Sequence, residues 1–465
     1  MPFFIRRSSV VLALLLVACS PSSRNKSDDA SDVQDQRDVL VDDPDGLQLD
    51  DVGHLDSGQN AAGSDAATPD LRACLDRAVL DQTWTVAAKE IAGQLQTAMA
   101  FDGQGIWVVF TRPGPGEERQ DLIYATRVQC DGTPSVAPFQ VSQLGTGYAA
   151  QPVIAAREGK VHIAWAFQDT NTGHWDLLYR AFEADGRAYG SQPSSIAPSI
   201  DDTIVSELAW HPDIAALPDG AAVIVAAVAV DGNFQTMLQR VGADGQRSED
   251  AFYPYANDID QLYPSVSSHT DGTIYVAWTR DDNDAQTVVH TYISPGATEA
   301  ALAMPLVAHP LEHPNPFSRM SKAGAGPNER AVLAFQVTKP ARHDIMFKDA
   351  TLGVASSHYG VVGHATQSDF LPSVAASPTG GAIAWYRYAT SPAKSDVYVQ
   401  RFTMDANGGL DTPSTALRLA EQQYAYNGYG PAIAHIGDEL YAVAWSAGER
   451  PAEARVTMRI VNLAP

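Results

Sequence analysis

Along most of this chain the apolar residues fall in short runs of strand length, separated by Gly, Pro, Asn and Asp. One phrase recurs. LYPSVSSHTDGTIYVAWTR (262–280) returns as AAQPVIAAREGKVHIAWAF (149–167) and as FLPSVAASPTGGAIAWYR (370–387). Each copy reads as a strand, a tight turn and a second strand that ends on an aromatic residue. Aligned on that aromatic, the chain yields Phe110, Trp165, Trp278, Phe335, Trp385 and Trp445. Between Trp165 and Trp278, DIAALPDGAAVIVAAVAV (213–230) fills the same slot with Ala226. The seven positions lie about 56 residues apart, a period that belongs to solenoids, propellers and arrays.

Repeat six reads SVAAS, PTGG, AIAWYRY, ATSPAKS, DVYVQRF, MDANGG, TALRLA: four apolar runs with turn residues between them. No segment carries the i, i+3, i+4, i+7 pattern of a long helix. Four antiparallel strands repeated about an axis predict an all-β, seven-bladed β-propeller over 73–465, because that arrangement leaves only short, protected edges. Repeat seven stops after its third strand, ARVTMRIVNLAP, while an orphan strand, TWTVAAKEIAG (83–93), precedes repeat one. The orphan is predicted to supply the fourth strand of blade seven and close the ring. The aromatic that ends each second strand is predicted to pack between neighbouring blades.

The recurring form, Pro-x-[Val/Ile]-Ala/Ser, then Asp-Gly-x-x-[Val/Ile]-Ala-Trp, then Asp-[Ile/Val/Leu]-x-Tyr and Arg-Phe, resembles the repeats of secreted bacterial propellers. It is loosely akin to the sialidase-like superfamily. The resemblance covers roughly 83–465 and implies the architecture more firmly than any activity, since propellers host enzymes, binders and scaffolds alike. The sialidase Asp-box, Ser-x-Asp-x-Gly-x-Thr-Trp, is not present.

The N-terminus, MPFFIRRSSVVLALLLVACS, gives an address. Arg6 and Arg7 precede an apolar run over 10–18, too short for the roughly 20 residues of a membrane span. It reads as a signal peptide over 1–18. Leu16-Val17-Ala18-Cys19 resembles the bacterial lipobox, which implies that Cys19 becomes the acylated first residue of the mature chain. Buried acyl chains anchor a protein to a membrane at about 0.8 kcal/mol per CH₂. Ser20, in place of an Asp, points by the family's sorting rule to the outer membrane. Residues 19–72 form an acidic tether: from Asp28 to Asp70 there are thirteen Asp, one Arg, no Glu and no aromatic residue. Such a stretch cannot bury enough apolar surface to order itself and extends by self-repulsion.

Candidate chemistry is sparse. Cys74 and Cys130 remain after Cys19; in an oxidising compartment a disulfide between them would clamp the closing strand onto blade one, worth on the order of 4 kcal/mol, the alternative being two separate buried thiols. Arg112, Arg280 and Arg387 each follow the strand-ending aromatic by two residues. A sialidase-like arginine triad would clamp a substrate carboxylate. The competing expectation is a set of cross-hairpin ion pairs, Arg112 with Asp121 and Arg387 with Asp396. His309, Glu312 and His313 sit in the proline-rich HPLEHPNPF, which cannot be a helix. No metal site or cofactor is implied, and no catalytic Ser, zinc or phosphate-loop motif occurs.

The loops entering the first strands carry Tyr148, Trp210, His211, Tyr263, Phe317, Phe370, Tyr424, Tyr426 and Tyr429, and Trp175 stands at the start of a third strand. Aromatics of this density suit sugar stacking or protein contact. Asp176, Asp281, Asp282 and Asp284 are the carboxylates available to a glycosidase, with nothing to pick out a pair. The net charge of −24 disfavours nucleic acid. The expectation is a lipid-anchored envelope protein whose propeller binds carbohydrate or an envelope protein, or serves as a scaffold; the rival is a sialidase-like glycosidase at the channel mouth.

Overall fold

The computed structural model describes residues 76–464 except 77, 79, 88–94, 114–120, 143–146, 191–192, 197–208, 231, 249, 283–284, 298–305, 311–313, 324–329, 340–341, 352–359, 364–366, 392–393, 406–408, 425–429 and 449–453. The signal peptide, Cys19, the tether and Cys74 lie outside the described residues.

Seven small antiparallel sheets repeat along the chain. Their first strands are Leu95–Phe101, Gly147–Arg157, Ala209–Ala216, Asp260–Ser268, Pro314–Ala323, Asp369–Ser377 and Ala432–Gly437, and each is the terminal strand of its sheet. The protein is a seven-bladed β-propeller. The second strands are the core: Ile106–Pro113 is buried from Ile106 to Thr111, and Ala222–Val230 from Ala222 to Val228. A strand buried on both faces reads as an unbroken apolar run, which is why these segments stood out in the sequence.

The aligned aromatics do pack between blades. Seven apolar clusters fill the seven seams, and each takes one of them. Phe110 lies between blades seven and one, Trp165 between one and two, Ala226 between two and three, and Trp278 between three and four. Phe335, Trp385 and Trp445 fill the remaining three.

Tight turns join the strands. Asp131, Asp185, Asp219, Asp244 and Asp271 each accept the backbone N–H two residues on, at 2.8–3.0 Å, and each is followed by a Gly. Gly272 takes φ 87°, in the left-handed region where a Cβ is disfavoured.

The N-terminal segment closes the ring. Thr83–Thr85 pairs antiparallel with Arg455–Asn462, the third strand of blade seven, in the register Thr83↔Arg459, Trp84↔Met458, Thr85↔Thr457. The Asp81 N–H to Ile460 O bond (3.1 Å) and the Val86 N–H to Val456 O bond (2.9 Å) extend the pairing, and Arg459 bridges to Asp81 at 2.8 Å. The paired strand is shorter than the predicted 83–93. From Val86, the last residue bonded to the edge, the chain bends, and Val86 and Ala87 pack in the seam with Phe110 and the buried Cys130; 88–93 lie outside the described residues. Trp84 covers Gly132 in the turn of blade one.

Strand number varies at the rim. Blade three has three strands, Ala209–Ala216, Ala222–Val230 and Asn233–Val241, and its fourth position holds two single bridges, Leu238↔Phe252 and Val241↔Arg247. There Phe252 exchanges both backbone bonds with Leu238 and the Ser248 N–H bonds Arg240 O, without a continuous ladder. Blade six adds two outer segments, Leu410–Asp411 and Leu417–Tyr424, to one third strand.

Candidate functional site

One end of the channel is framed by bulges in the first strands. Their register slips between Leu95 and Thr97, Ala150 and Val153, Trp210 and Asp213, Leu262 and Ser265, and Phe370 and Ser373. A residue at each slip is left-handed: Gln96 (φ 42°), Gln151 (56°), His211 (53°), Tyr263 (53°) and Leu371 (56°). For a residue with a side chain this costs roughly 1–2 kcal/mol. Side-chain amides hold several of these backbones in place. The Gln151 N–H donates to Gln96 Oε1 (2.7 Å), His211 N–H to Gln151 Oε1 (2.6 Å) and Leu371 N–H to Gln336 Oε1 (3.0 Å). The clasps run from blade to blade. Gln151 and His211 line a narrow cavity of about 150 Å³, together with Thr97, Asp213, Ser373 and Gly430 among others.

His211 and Tyr263 meet at this mouth, ring centroids 4.1 Å apart. Burial, helped by the charge of Asp281, pushes the Tyr263 phenol up to about 12. Asp260 stands directly opposite Asp281 across the first two strands of blade four. Burial raises its pKa and Asp281 adds to the rise, against the bond it accepts from the Phe234 N–H at 2.7 Å. Asp213 is committed to structure: it accepts the Ile214 N–H (3.0 Å), the Val266 N–H (3.1 Å) and the Ser265 hydroxyl, tying blade three to blade four.

The three arginines do not form a triad. Arg387 is buried and bonds bidentately to the fully buried Asp369, at 2.6 and 3.1 Å, with its guanidinium 4.1 Å from the Tyr398 ring centre. Trp385 Nε1 donates to the same carboxylate at 2.8 Å. Arg112 lies over Tyr124 at 5.3 Å, and Arg280 stands in register with Gln261 and Thr287. The predicted cross-hairpin ion pairs are also corrected. The backbone sets Arg112 opposite Leu122, with Asp121 opposite Pro113. Arg387 does face Asp396, but Asp369 on the same rung takes its guanidinium, and Asp396 pairs with Arg418 at 3.5 Å.

Tyr148 and Trp175 share a rung of blade two, on either side of Gln168, and both are half-buried. Asp176, next along, accepts the Leu177 N–H and the Ser195 hydroxyl, and burial raises its pKa. Blade three separates it from Asp281. Phe370 is buried against Tyr388, 4.1 Å between ring centres. Trp210, Phe317, Tyr424, Asp282 and His309 are described by backbone alone; Asp284, Glu312, His313, Tyr426 and Tyr429 lie outside the described residues. Among the described residues no group of three or more His, Cys, Asp or Glu side chains is placed to hold a metal ion.

The roomier end of the channel is the opposite one. Past an aliphatic belt of Met99, Ile154, Ile214, Val266, Val374 and Ile433 the lumen widens to about 700 Å³ towards the turns that follow the first strands. Sequence reasoning missed this end, and it missed Gln96, Gln151, Asp213 and Asp260 at the other. The Pro that follows the bulge residue in Gln151-Pro152, His211-Pro212, Tyr263-Pro264 and Leu371-Pro372 was the available signal.

No family model matches the chain, and no curated protein matches it. Among solved structures, a protein of unknown function from Dyadobacter fermentans DSM 18053 is 10% identical, with 69% of this chain and 96% of that one covered at a TM-score of 0.47. The polysaccharide lyase Uly1 is 14% identical over 80% of this chain and 90% of its own, TM-score 0.47. Trypanosoma rangeli sialidase, in complex with the inhibitor DANA, is 10% identical over 71% of this chain and 57% of its own, TM-score 0.41. Likenesses at this level carry nothing about ligand or reaction.

Proposed function

We propose that this protein is a non-catalytic binding module of the cell envelope, held to the outer membrane by acyl chains on Cys19, with carbohydrate as the ligand of its bulge-framed mouth. One observation carries the reading. His211 lines the narrow end of the channel and meets the Tyr263 ring, Asp260 and Asp281 face each other on the two blade-four strands that begin with Tyr263's own, and Arg387 is sealed inside blade six. Aromatic edges and hydrogen-bond acceptors suit the faces and hydroxyls of a neutral sugar. A sugar carboxylate would meet like charge.

Titration of the protein with maltoheptaose, chitotriose and sialyllactose, followed by tyrosine fluorescence and calorimetry, tests this. A neutral glycan should bind, and His211→Ala with Tyr263→Ala should abolish binding. Binding of sialyllactose alone, or of none of the three, overturns it. The membrane half has its own test: Cys19→Ala should move the protein from the membrane fraction to soluble or unprocessed material.

A second reading, a glycosidase, draws on the Asp260–Asp281 pair, in which burial and a facing carboxylate raise one member. A glycosidase needs two carboxylates at one site, and these two face each other on a single rung. Turnover of aryl glycosides that disappears in Asp281→Asn would replace the binding reading with this one.

A further inference from the structure

We propose that the wide end of the channel is a second binding site, separate from the mouth, for an uncharged amphiphile: an alkyl chain beneath a neutral, hydroxyl-rich head. Its volume of about 700 Å³ lies within the range of small-molecule sites.

The floor is apolar. Met99, Ile154, Ile214, Val374 and Ile433 are each 7–8% exposed although they lie within the blades, and the lumen that they line is the channel. The wall above is made of small residues, Ala155, Ala215, Ser267 and Ala375 and their neighbours. These small side chains lie on strands that are terminal in their sheets, so one row of backbone N–H and C=O groups on each lacks a strand partner. A head group with both donors and acceptors matches that surface.

Among the described residues the charged groups of the rim lie beside partners. Asp102 accepts two bonds from Arg127 (2.7 and 3.0 Å), one from Trp107 Nε1 (2.9 Å) and two from backbone N–H groups. Arg157 pairs with Glu158 at 3.6 Å, and His435 Nε2 donates to the Asp438 carbonyl at 2.8 Å. Asp102 and Arg157 thus each have an opposite charge beside them. From Ile154 at the belt to Arg157 at the rim the strand climbs three residues, about 10 Å, which gives a head group seated above the belt a row of strand edges to meet.

Octyl β-glucoside, kept below its critical micelle concentration, is the probe. With methyl-labelled methionine, the Met99 signal (assigned with Met99→Leu) should move saturably, while those of the fully buried Met237 and Met458 stay still. Ala216→Phe and Ala376→Phe fill the lumen and should weaken binding at least about tenfold, or 1.4 kcal/mol. Leu417→Ala, on the exposed outer edge of blade six, should leave it unchanged. Should the Phe variants fail to fold, the Met99 titration decides alone.

The register sets Lys322 of blade five level with Ser268, opposite Ala331 as Ser268 is opposite Ile274; the charge of the head is therefore tested with sodium octanoate. No saturable Met99 shift, or lumen variants that bind like wild type, overturns the site. Octanoate binding tighter than the glucoside overturns the neutral class.

Discussion

Blades seven and three both lack a fourth strand from their own stretch of chain, and they meet the lack differently. Blade seven takes Thr83–Thr85 from the far end of the propeller, with the Asp81–Arg459 bridge beside it. Blade three makes do with the two bridges at Phe252 and Arg247. Their seams are nevertheless alike: each is a dense cluster built largely from the first three strands. An outer edge can therefore be left ragged, because seam packing does not depend on it. The last seam cannot, since no chain continuity holds blade seven to blade one except through the borrowed strand.

Removing residues 76–87 should have the largest effect. It strips Trp84, Val86 and Ala87 from the seam and exposes the edge of the third strand, so the truncated protein should aggregate or lose cooperative unfolding in size-exclusion and thermal scans. An unchanged melting temperature would show that blade seven needs no fastening.

The seam between blades two and three should respond to acid. His162 is buried, with Nδ1 accepting the Tyr179 hydroxyl at 2.7 Å and Nε2 donating to Gly220 O at 3.1 Å, so it is neutral in the fold. Burial lowers it to about 4, whereas the unfolded chain titrates near 6.5. Its contribution is whole above pH 6.5 and drains away as the pH falls from 6.5 to 4, by roughly 3 kcal/mol. His290, also lowered to about 4, acts in the same window. Urea titrations should therefore show the stability gap between wild type and His162→Gln shrinking by that amount from pH 7 to pH 4; a constant gap would rule out a neutral His162.

Gly132→Val probes the closing seam from the other side. Gly132 takes φ 82°, and a Cβ there would lie 2.5 Å from Trp84 Nε1. The cost should be about 2 kcal/mol, with Trp84→Ala relieving part of it in a double-mutant cycle. A purely additive cycle would mean that Trp84 does not press on this turn. At the bottom of the scale, Phe252→Ala in blade three should cost about 1 kcal/mol, since it loses one bridge's partly buried ring and no closure. A loss as large as that from deleting 76–87 would erase the distinction between the two blades.

Much of the fold was legible because buried second strands, Asp-Gly turns and the interval between Phe110 and Trp445 repeat in the sequence. Even the closure could be read, from a strand too many at one end and one too few at the other. The site was less so. The rung Asp369–Arg387–Asp396 places two carboxylates beside one guanidinium, and only packing decides that Asp369 takes it. The off-by-one error at Arg112 moved a predicted partner to the other face of the sheet. The bulges escaped notice because a Pro marks an interruption without specifying that the residue before it turns left-handed.

The borrowed strand also sets an order of events. Thr83 and Arg459, paired in the fold, are 376 positions apart. At synthesis rates of about 5–20 residues per second, the earlier one waits roughly 20–75 s for its partner to be made. The first strand to emerge is thus the last to be used. Throughout that interval every seam but one can form behind it. A factor that occupies residues 81–87 during the wait would leave six seams to assemble normally and yield an open, incomplete ring.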